Sequence, residues 1–256
     1  MDPLVCVNVE GPVATIRLND PPRNQITLPM ATALHGAATE VTTRGDVRSV
    51  VLWGGERTFS AGGNVQVMSE QSPETMRPIL AALGDAVSAL EAVPKVVIAA
   101  IDGLCLGGGC EIALAADFRY AGTTARLGQP EIRFGIIPGA GATQRLQRLV
   151  GRSKAKELIY SGRWVNATEA LSVGIVDHVV ESGGAYPAAL EAAVRYARAP
   201  AKAIAAAKAA IQAQDAGAGD WLDLERDLLC GLFGTDDQRE NMRAFLERPT
   251  TTEEPV

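Results

Sequence analysis

The chain has 256 residues, 47% hydrophobic and 21% charged, enough for one large buried core or a core with an appendage. With 24 basic and 30 acidic residues the formal net charge is −6, so a long anionic polymer meets net repulsion and nucleic acid is a poor candidate for the main ligand. Cys6, Cys105, Cys110 and Cys230 form no CxxC pair and the only histidines are His35 and His178, which argues against a zinc site; no metal is expected. The opening Met1-Asp2-Pro3-Leu4-Val5 lacks the basic end and apolar run of a signal peptide, and no stretch approaches the roughly 20 apolar residues of a membrane span. These features predict a soluble, reduced, cytoplasmic protein with no membrane or nucleic-acid partner.

Two short strands are predicted over residues 5–9 and 13–18, with Gly11-Pro12 as the hairpin turn. In the second, Ala14, Ile16 and Leu18 alternate with Thr15 and Arg17, the pattern of a half-exposed strand. Met30, Ala33, Leu34, Ala37, Ala38 and Val41 recur at helical spacing behind Thr27, a suitable N-cap. Residues 49–53 read as a short buried strand, followed by the loop Phe59-Ser60-Ala61-Gly62-Gly63-Asn64. Met76, Ile79, Leu80, Leu83, Val87 and Leu90 mark a second amphipathic helix. A buried strand over 96–101 runs into Asp102-Gly103 and the triple glycine 107–109, then a helix starts near Cys110 and a strand returns at 118–121.

Further on, Asn166 and Glu169 have capping-box spacing, Gly174 can end that helix, and 175–180 reads as a strand with His178 exposed. From Pro187 the chain reads as helical, over 188–197, 201–213, 221–232 and 236–246. Thr235 and Gln238 again have capping-box spacing, and Ala216-Gly217-Ala218-Gly219 is a candidate hinge. Alternating strand, loop and helix define the class as α/β, with an all-helical tail as a lid or subunit-contact appendage.

Three glycine-rich turns could hold a ligand: Ala61-Gly62-Gly63, Gly107-Gly108-Gly109 and Pro138-Gly139-Ala140-Gly141. Small residues let a ligand approach bare N–H groups, and helix N-termini favour negative charge. Two such N–H groups converging on one oxygen form an oxyanion hole, in which losing one donor costs about 3–4 kcal/mol of barrier lowering. Taken singly, each turn is more simply a tight corner. The glycine spacing matches neither a dinucleotide fingerprint nor a P-loop.

Two carboxylates stand beside these turns. Glu111 lies in the first turn of an apolar helix, and Glu131 follows Gln129-Pro130. Taken singly, Glu111 fits a first-turn dipole partner or a buried acid or base, and Glu131 a solvated loop charge or an Arg133 partner; as a pair in apolar surroundings they fit acid–base chemistry, since burial raises a carboxyl pKa. Cys105 and Cys110 read as small apolar fillers, and Ser60 lacks the context of a nucleophile.

In this order the motifs resemble the crotonase (enoyl-CoA hydratase/isomerase) superfamily, from about residue 4 to 248. The segment 59–64 resembles its first oxyanion loop, and 102–111 its second. Gln129-Pro130-Glu131 with the stretch 135–141 resembles its second catalytic segment. Ser161-Gly162-Arg163 through Asp177, and 240–246, also match.

The resemblance implies a spiral of ββα units over 1–195 carrying the active site, and a helical oligomerisation region over 196–256 that forms trimers or hexamers. It implies hydration of a trans-2-enoyl-CoA through a thioester enolate, with coenzyme A as part of the substrate and no separate cofactor. It implies oxyanion donors at Ala61 and Gly108, Glu111 activating water and Glu131 supplying the α-proton. Pro22, Arg23, Gly62, Gly63, Asn64 and Gly139 would line the substrate and CoA site. Departures from the common pattern are Gln25, Asn64, Ala142 and Asn241. Retention of both glutamates favours hydration over isomerase, hydrolase, dehalogenase or decarboxylase chemistry on the same scaffold, and over a non-catalytic binder.

Overall fold

Branched apolar residues at alternate positions build the first hairpin, β1 (Val5–Glu10) and β2 (Val13–Leu18). Their antiparallel register runs from Val5↔Leu18 to Glu10↔Val13 across the Gly11-Pro12 turn. The computed structural model that carries these elements describes residues 2–215 and 221–247. The proposed hinge at 216–219 lies outside the described residues. The chain divides into two compact units, Met1–Arg198 and Ala199–Val256.

In the first unit α1 (Leu28–Thr43) follows the hairpin, capped by Thr27, whose hydroxyl accepts from the Met30 N–H at 3.3 Å. Of its expected stripe, Met30, Leu34, Ala37, Ala38 and Val41 are buried and Ala33 is half-buried. Next come β3 (Ser49–Trp53), β4 (Thr58–Ser60), α2 (Val65–Ser69) and α3 (Pro73–Glu91). The start of α3 is a capping box between Ser72 and Thr75. Then follow β5 (Val96–Ile101), β6 (Leu104–Leu106), α4 (Gly108–Leu114), β7 (Phe118–Gly122) and β8 (Arg126–Gly128). A 3₁₀ turn over Glu131–Phe134 leads to α5 (Ala142–Ser161), which kinks at Gly151 (φ 77°, ψ 157°). β9 (Trp164–Asn166), α6 (Ala167–Ser172), β10 (His178–Val180) and α7 (Ala185–Tyr196) close the unit.

Two sheets result. The larger has the order β1-β2-β3-β5-β7-β10, parallel except for the hairpin; the smaller has the order β4-β6-β8-β9. The pairs β3–β4, β5–β6 and β7–β8 each send their first strand to the large sheet and their second to the small one. Every residue of β5 is buried, the continuous apolar run expected of a parallel strand covered on both faces.

The half-exposed pattern expected for β2 holds only in part. Arg17 is exposed, but Thr15 is buried and its hydroxyl lies 3.0 Å from that of Tyr186 on α7, so a helix covers this face. The strand expected at 175–180 begins only at His178. Upstream, Asp177 is occupied otherwise: its N–H donates to Arg119 O (2.9 Å) and its carboxylate accepts from the Arg119 N–H (2.8 Å) and Nη2 (3.0 Å). His178 is exposed as expected, its ring 4.4 Å from that of Tyr120. Cys105 and Cys110 are buried fillers.

The second unit holds α8 (Ala201–Asp215), α9 (Trp221–Leu232) and α10 (Asp236–Leu246). Thr235 caps α10 by accepting from the Gln238 N–H at 3.3 Å, while Gln238 Oε1 accepts from the Gly234 N–H at 2.9 Å. No described helix is long and apolar enough to cross a membrane.

The corner between β5 and β6 is the tightest crossing between sheets. Gly103 has φ +65°, and a Cβ there would fall 1.8 Å from Arg57 O. Asp102 beside it is buried and accepts from the Gly183 N–H at 2.9 Å, just before α7. Gly11 has a similar φ of +57° but open space around it. Gly103→Ala should therefore cost about 2 kcal/mol or more in urea unfolding, against roughly 1 kcal/mol for Gly11→Ala. Equal losses for the two would mean that the Arg57 contact is irrelevant.

Candidate active site

The small sheet brings the candidate residues together. β4, β6 and β8 are parallel neighbours, paired through Ser60↔Cys105 and Leu106↔Gly128. Their C-terminal ends therefore lie on one edge, where open α/β sheets place ligands. β4 ends into Ala61-Gly62-Gly63, β6 into Gly107-Gly108, and β8 into Gln129-Pro130-Glu131. A Gly107 N–H to Gly128 O bond of 2.9 Å ties the last two together. The first two abut: a Cβ on Gly62 would fall 2.6 Å from Leu106 O and 3.5 Å from Gly108 N. Glycine at 62 is thus a requirement of close approach.

Glu111 is buried, 2% exposed, in the first turn of α4. Its Oε1 accepts from the Ala140 N–H at 2.7 Å and the Ala142 N–H at 3.1 Å. Burial pushes its pKa above the usual carboxylate value, and the Ala142 and Ala140 amides and the Arg145 charge oppose that rise. Glu111 is therefore a desolvated carboxylate partly re-solvated by fixed dipoles. The third glycine turn supplies those dipoles, and Gly139 lies at its exposed edge.

Glu131 opens the 3₁₀ turn, and a Cβ on Gly107 would fall 3.0 Å from its Oε1. The carboxyl thus sits against the second glycine turn, contrary to the readings as a solvated charge or an Arg133 partner. Burial, with a smaller contribution from the charge of Glu111, pushes its pKa up to about 7. The fully buried Gln129, turned so that its amide nitrogen faces the carboxyl, donates to Oε1 at 3.1 Å and Oε2 at 3.3 Å.

The expected oxyanion pair needs one correction. The Ala61 N–H donates to Arg23 O at 2.9 Å and is not available to a ligand. The Gly62 N–H points back to Ser60 Oγ at 3.2 Å. Among the described residues, no acceptor meets the N–H of Gly63 in the first turn or those of Gly108 and Gly109 in the second, while Ala61, Gly62 and Gly107 have theirs. The free amide of the first turn is that of Gly63. Which amide is free depends on the Arg23 carbonyl, a contact that local sequence does not reveal.

A cleft of about 590 Å³ leads to the first turn, lined by Pro22, Arg23, Gln25, Ala61, Gly63 and Asn64 with neighbouring residues. It unites most of the expected substrate-binding residues; Gly62 lies buried behind them. Pro22 and Arg23 are exposed at the rim. Asn64 caps α2 through the Val67 N–H (3.2 Å) and donates from Nδ2 to Gln25 Oε1 (3.1 Å). Sequence reasoning passed over Gln129 and Arg145; the buried amide beside Glu131 was signalled only by its place in Gln-Pro-Glu. Among the described residues no group of three His, Cys, Asp or Glu side chains could hold a metal.

The family model for enoyl-CoA hydratase/isomerase matches residues 8–253. The chain is 37% identical to a short-chain-enoyl-CoA hydratase of Clostridium acetobutylicum, over 95% of each chain. It is 41% identical to a probable enoyl-CoA hydratase, EchA17, of Mycobacterium tuberculosis, over 78% of this chain and 76% of the relative. Among solved structures, an enoyl-CoA hydratase from Bacillus anthracis superposes with TM-score 0.90 at 36% identity, covering 95% of this chain and 96% of that one. Pseudomonas aeruginosa DspI gives 0.91 at 36% identity, covering 95% and 94%. The chain belongs to the enoyl-CoA hydratase/isomerase family and is an enzyme of the crotonase fold.

The position of Glu131 has a consequence for stability. Its folded pKa, about 7, lies above the unfolded value of 4.5, so ionisation favours the unfolded chain. Any stability it contributes is present in full below pH 4.5 and lost as pH rises through 7. Glu131→Gln should match wild type near pH 5 and exceed it by roughly 1–2 kcal/mol at pH 8, discounted for partial solvent access. Thermal unfolding at the two pH values reads the difference, and a gap independent of pH would refute the burial of this charge.

Proposed function

We propose that this protein is an enoyl-CoA hydratase, adding water in syn fashion across the double bond of a trans-2-enoyl-CoA to give the 3-hydroxyacyl-CoA. The observation that carries the reading is two unpartnered amides, Gly63 and Gly108, on the sheet edge that also bears two desolvated glutamates. In this reading the thioester oxygen sits between those amides. Glu111, favoured as carboxylate by the Ala140 and Ala142 N–H groups, takes a proton from water as its oxygen bonds to the β-carbon. The double-bond electrons move onto the thioester, and the enolate oxygen is held by both amides. Glu131, which keeps its proton near neutrality, then delivers it to the α-carbon as the carbonyl re-forms. The turnover leaves Glu111 protonated and Glu131 ionised, and exchange with solvent restores both.

Coenzyme A enters as part of the substrate. Arg23, exposed at the cleft rim, is suited to its phosphates. Loss of enoyl thioester absorbance from crotonyl-CoA and longer trans-2-enoyl-CoAs is the direct test. Glu111→Ala and Glu131→Gln should each lower kcat by about 10² or more. No hydration at any chain length, or turnover of 3-enoyl-CoA alone, would sink the hydratase reading.

We further propose that the helical second unit mediates a homotrimer or a pair of trimers. Its apolar side chains support this: Phe245 is 72% exposed and Leu246 80%. Sedimentation velocity should give a mass near three or six chains, and a monomer would rule the assembly out.

A further inference from the structure

The mechanism just proposed uses Glu111 but leaves open what holds it in place and ionised. Its two donors, the Ala140 and Ala142 N–H groups, belong to a turn before α5 with no side-chain cap, since Gly141 is the capping residue. Arg145, in the first turn of α5, reaches back over that turn. Its Nη1 donates to Ala140 O at 2.9 Å, and a Cβ on Gly141 would fall 2.0 Å from the same nitrogen. The other side of the guanidinium meets Glu91 of α3, with Nε to Oε1 at 3.1 Å and Nη2 to Oε2 at 2.5 Å. The Arg145 side chain is 12% exposed and that of Glu91 30%, so the guanidinium is largely out of water.

Ala140 is thus gripped from both sides, its carbonyl by Arg145 and its N–H by Glu111. We propose that Arg145, anchored by Glu91, is a positioning residue that aims the Ala140 and Ala142 amides at Glu111 and supplies the cation that keeps Glu111 a base. The inference rests on the hydratase reading for the word base; the geometry of the relay does not.

The charged surroundings of Glu111 are few. From α5 there is Arg145, from α3 Glu91 behind it, and from the 3₁₀ turn Glu131. β4 and β6 bring only the Cys105 thiol, which burial keeps neutral. Among the described residues named here Arg145 is the one cation; burial raises the Glu111 pKa, and the Ala142 and Ala140 amides and then the Arg145 charge oppose that rise.

The test is Arg145→Met and Arg145→Lys, read by kcat, KM and the pH profile of crotonyl-CoA hydration. Arg145→Met should lower kcat about tenfold or more with KM within about twofold, and move the acid limb of kcat/KM to higher pH. Arg145→Lys should return the acid limb toward wild type, because the charge is restored, while recovering only part of kcat. In a Glu111→Gln background Arg145→Met should have almost no further effect on kcat, as expected of residues acting through one group. An unmoved acid limb, or an effect of equal size with and without Glu111, would overturn the proposal and leave Arg145 a packing residue. If wild type hydrates no enoyl-CoA, the hydratase reading fails by itself. The relay is then read from the Glu111 carboxyl ¹³C titration, identified by its loss in Glu111→Gln, which should move upward in Arg145→Met and not in Arg145→Lys.

Discussion

The parallel alignment of β4, β6 and β8 is the constraint on which the site depends. Parallel strands end on the same edge, so three loops far apart in sequence are delivered side by side. The strands themselves are three residues each and contribute little area. Their alignment is inherited from the large sheet, because each is the continuation of a large-sheet neighbour turned through a tight corner. The fully buried β5 is the central member of that support. A rigid, buried framework can thus hold two main-chain N–H groups unpartnered, which costs stability that a flexible loop would recover by rearranging.

The two glutamates differ in what replaces their lost water. Burial raises both, but Glu111 regains two N–H donors and a nearby cation, whereas Glu131 faces the Gln129 amide and the repulsion of Glu111. The Ala142 and Ala140 N–H groups and the Arg145 charge oppose the rise at Glu111, and the Gln129 amide opposes it at Glu131.

Long apolar runs made the large sheet and α1, α3 and α7 readable. Five or six residues of β-branched character, or a stripe such as Met30 to Val41, leave a periodic trace. The small-sheet strands leave none, because three residues cannot express a period, and they went unread. The same limit hid α2, five residues long. Glu111 and Glu131 were legible from their glycine neighbours, but their partners were not. That Ala140 and Ala142 face Glu111, or that Arg23 O consumes the Ala61 N–H, is decided by chain crossings that no local pattern encodes. That the Ala61 N–H is occupied is therefore a tertiary fact.

Two departures from the common family pattern, Gln25 and Asn64, turn out to be one. They are bonded to each other, and with the Ile26–Gly62 main-chain bond of 3.0 Å they join the Arg23 loop to the first glycine turn. An aspartate at 64 could cap α2 equally well, since only its oxygen is needed. It could not donate to Gln25, and it would add a negative charge to the cleft lip. At about 4 Å in water such a charge opposes an anionic ligand by about 1 kcal/mol, and by more where water is excluded. The amide pair keeps the lip neutral beside Arg23. The same loop carries the Arg23 carbonyl that accepts from the Ala61 N–H. The pair at the lip and the donor at the turn are in this way parts of the same hydrogen-bonded unit.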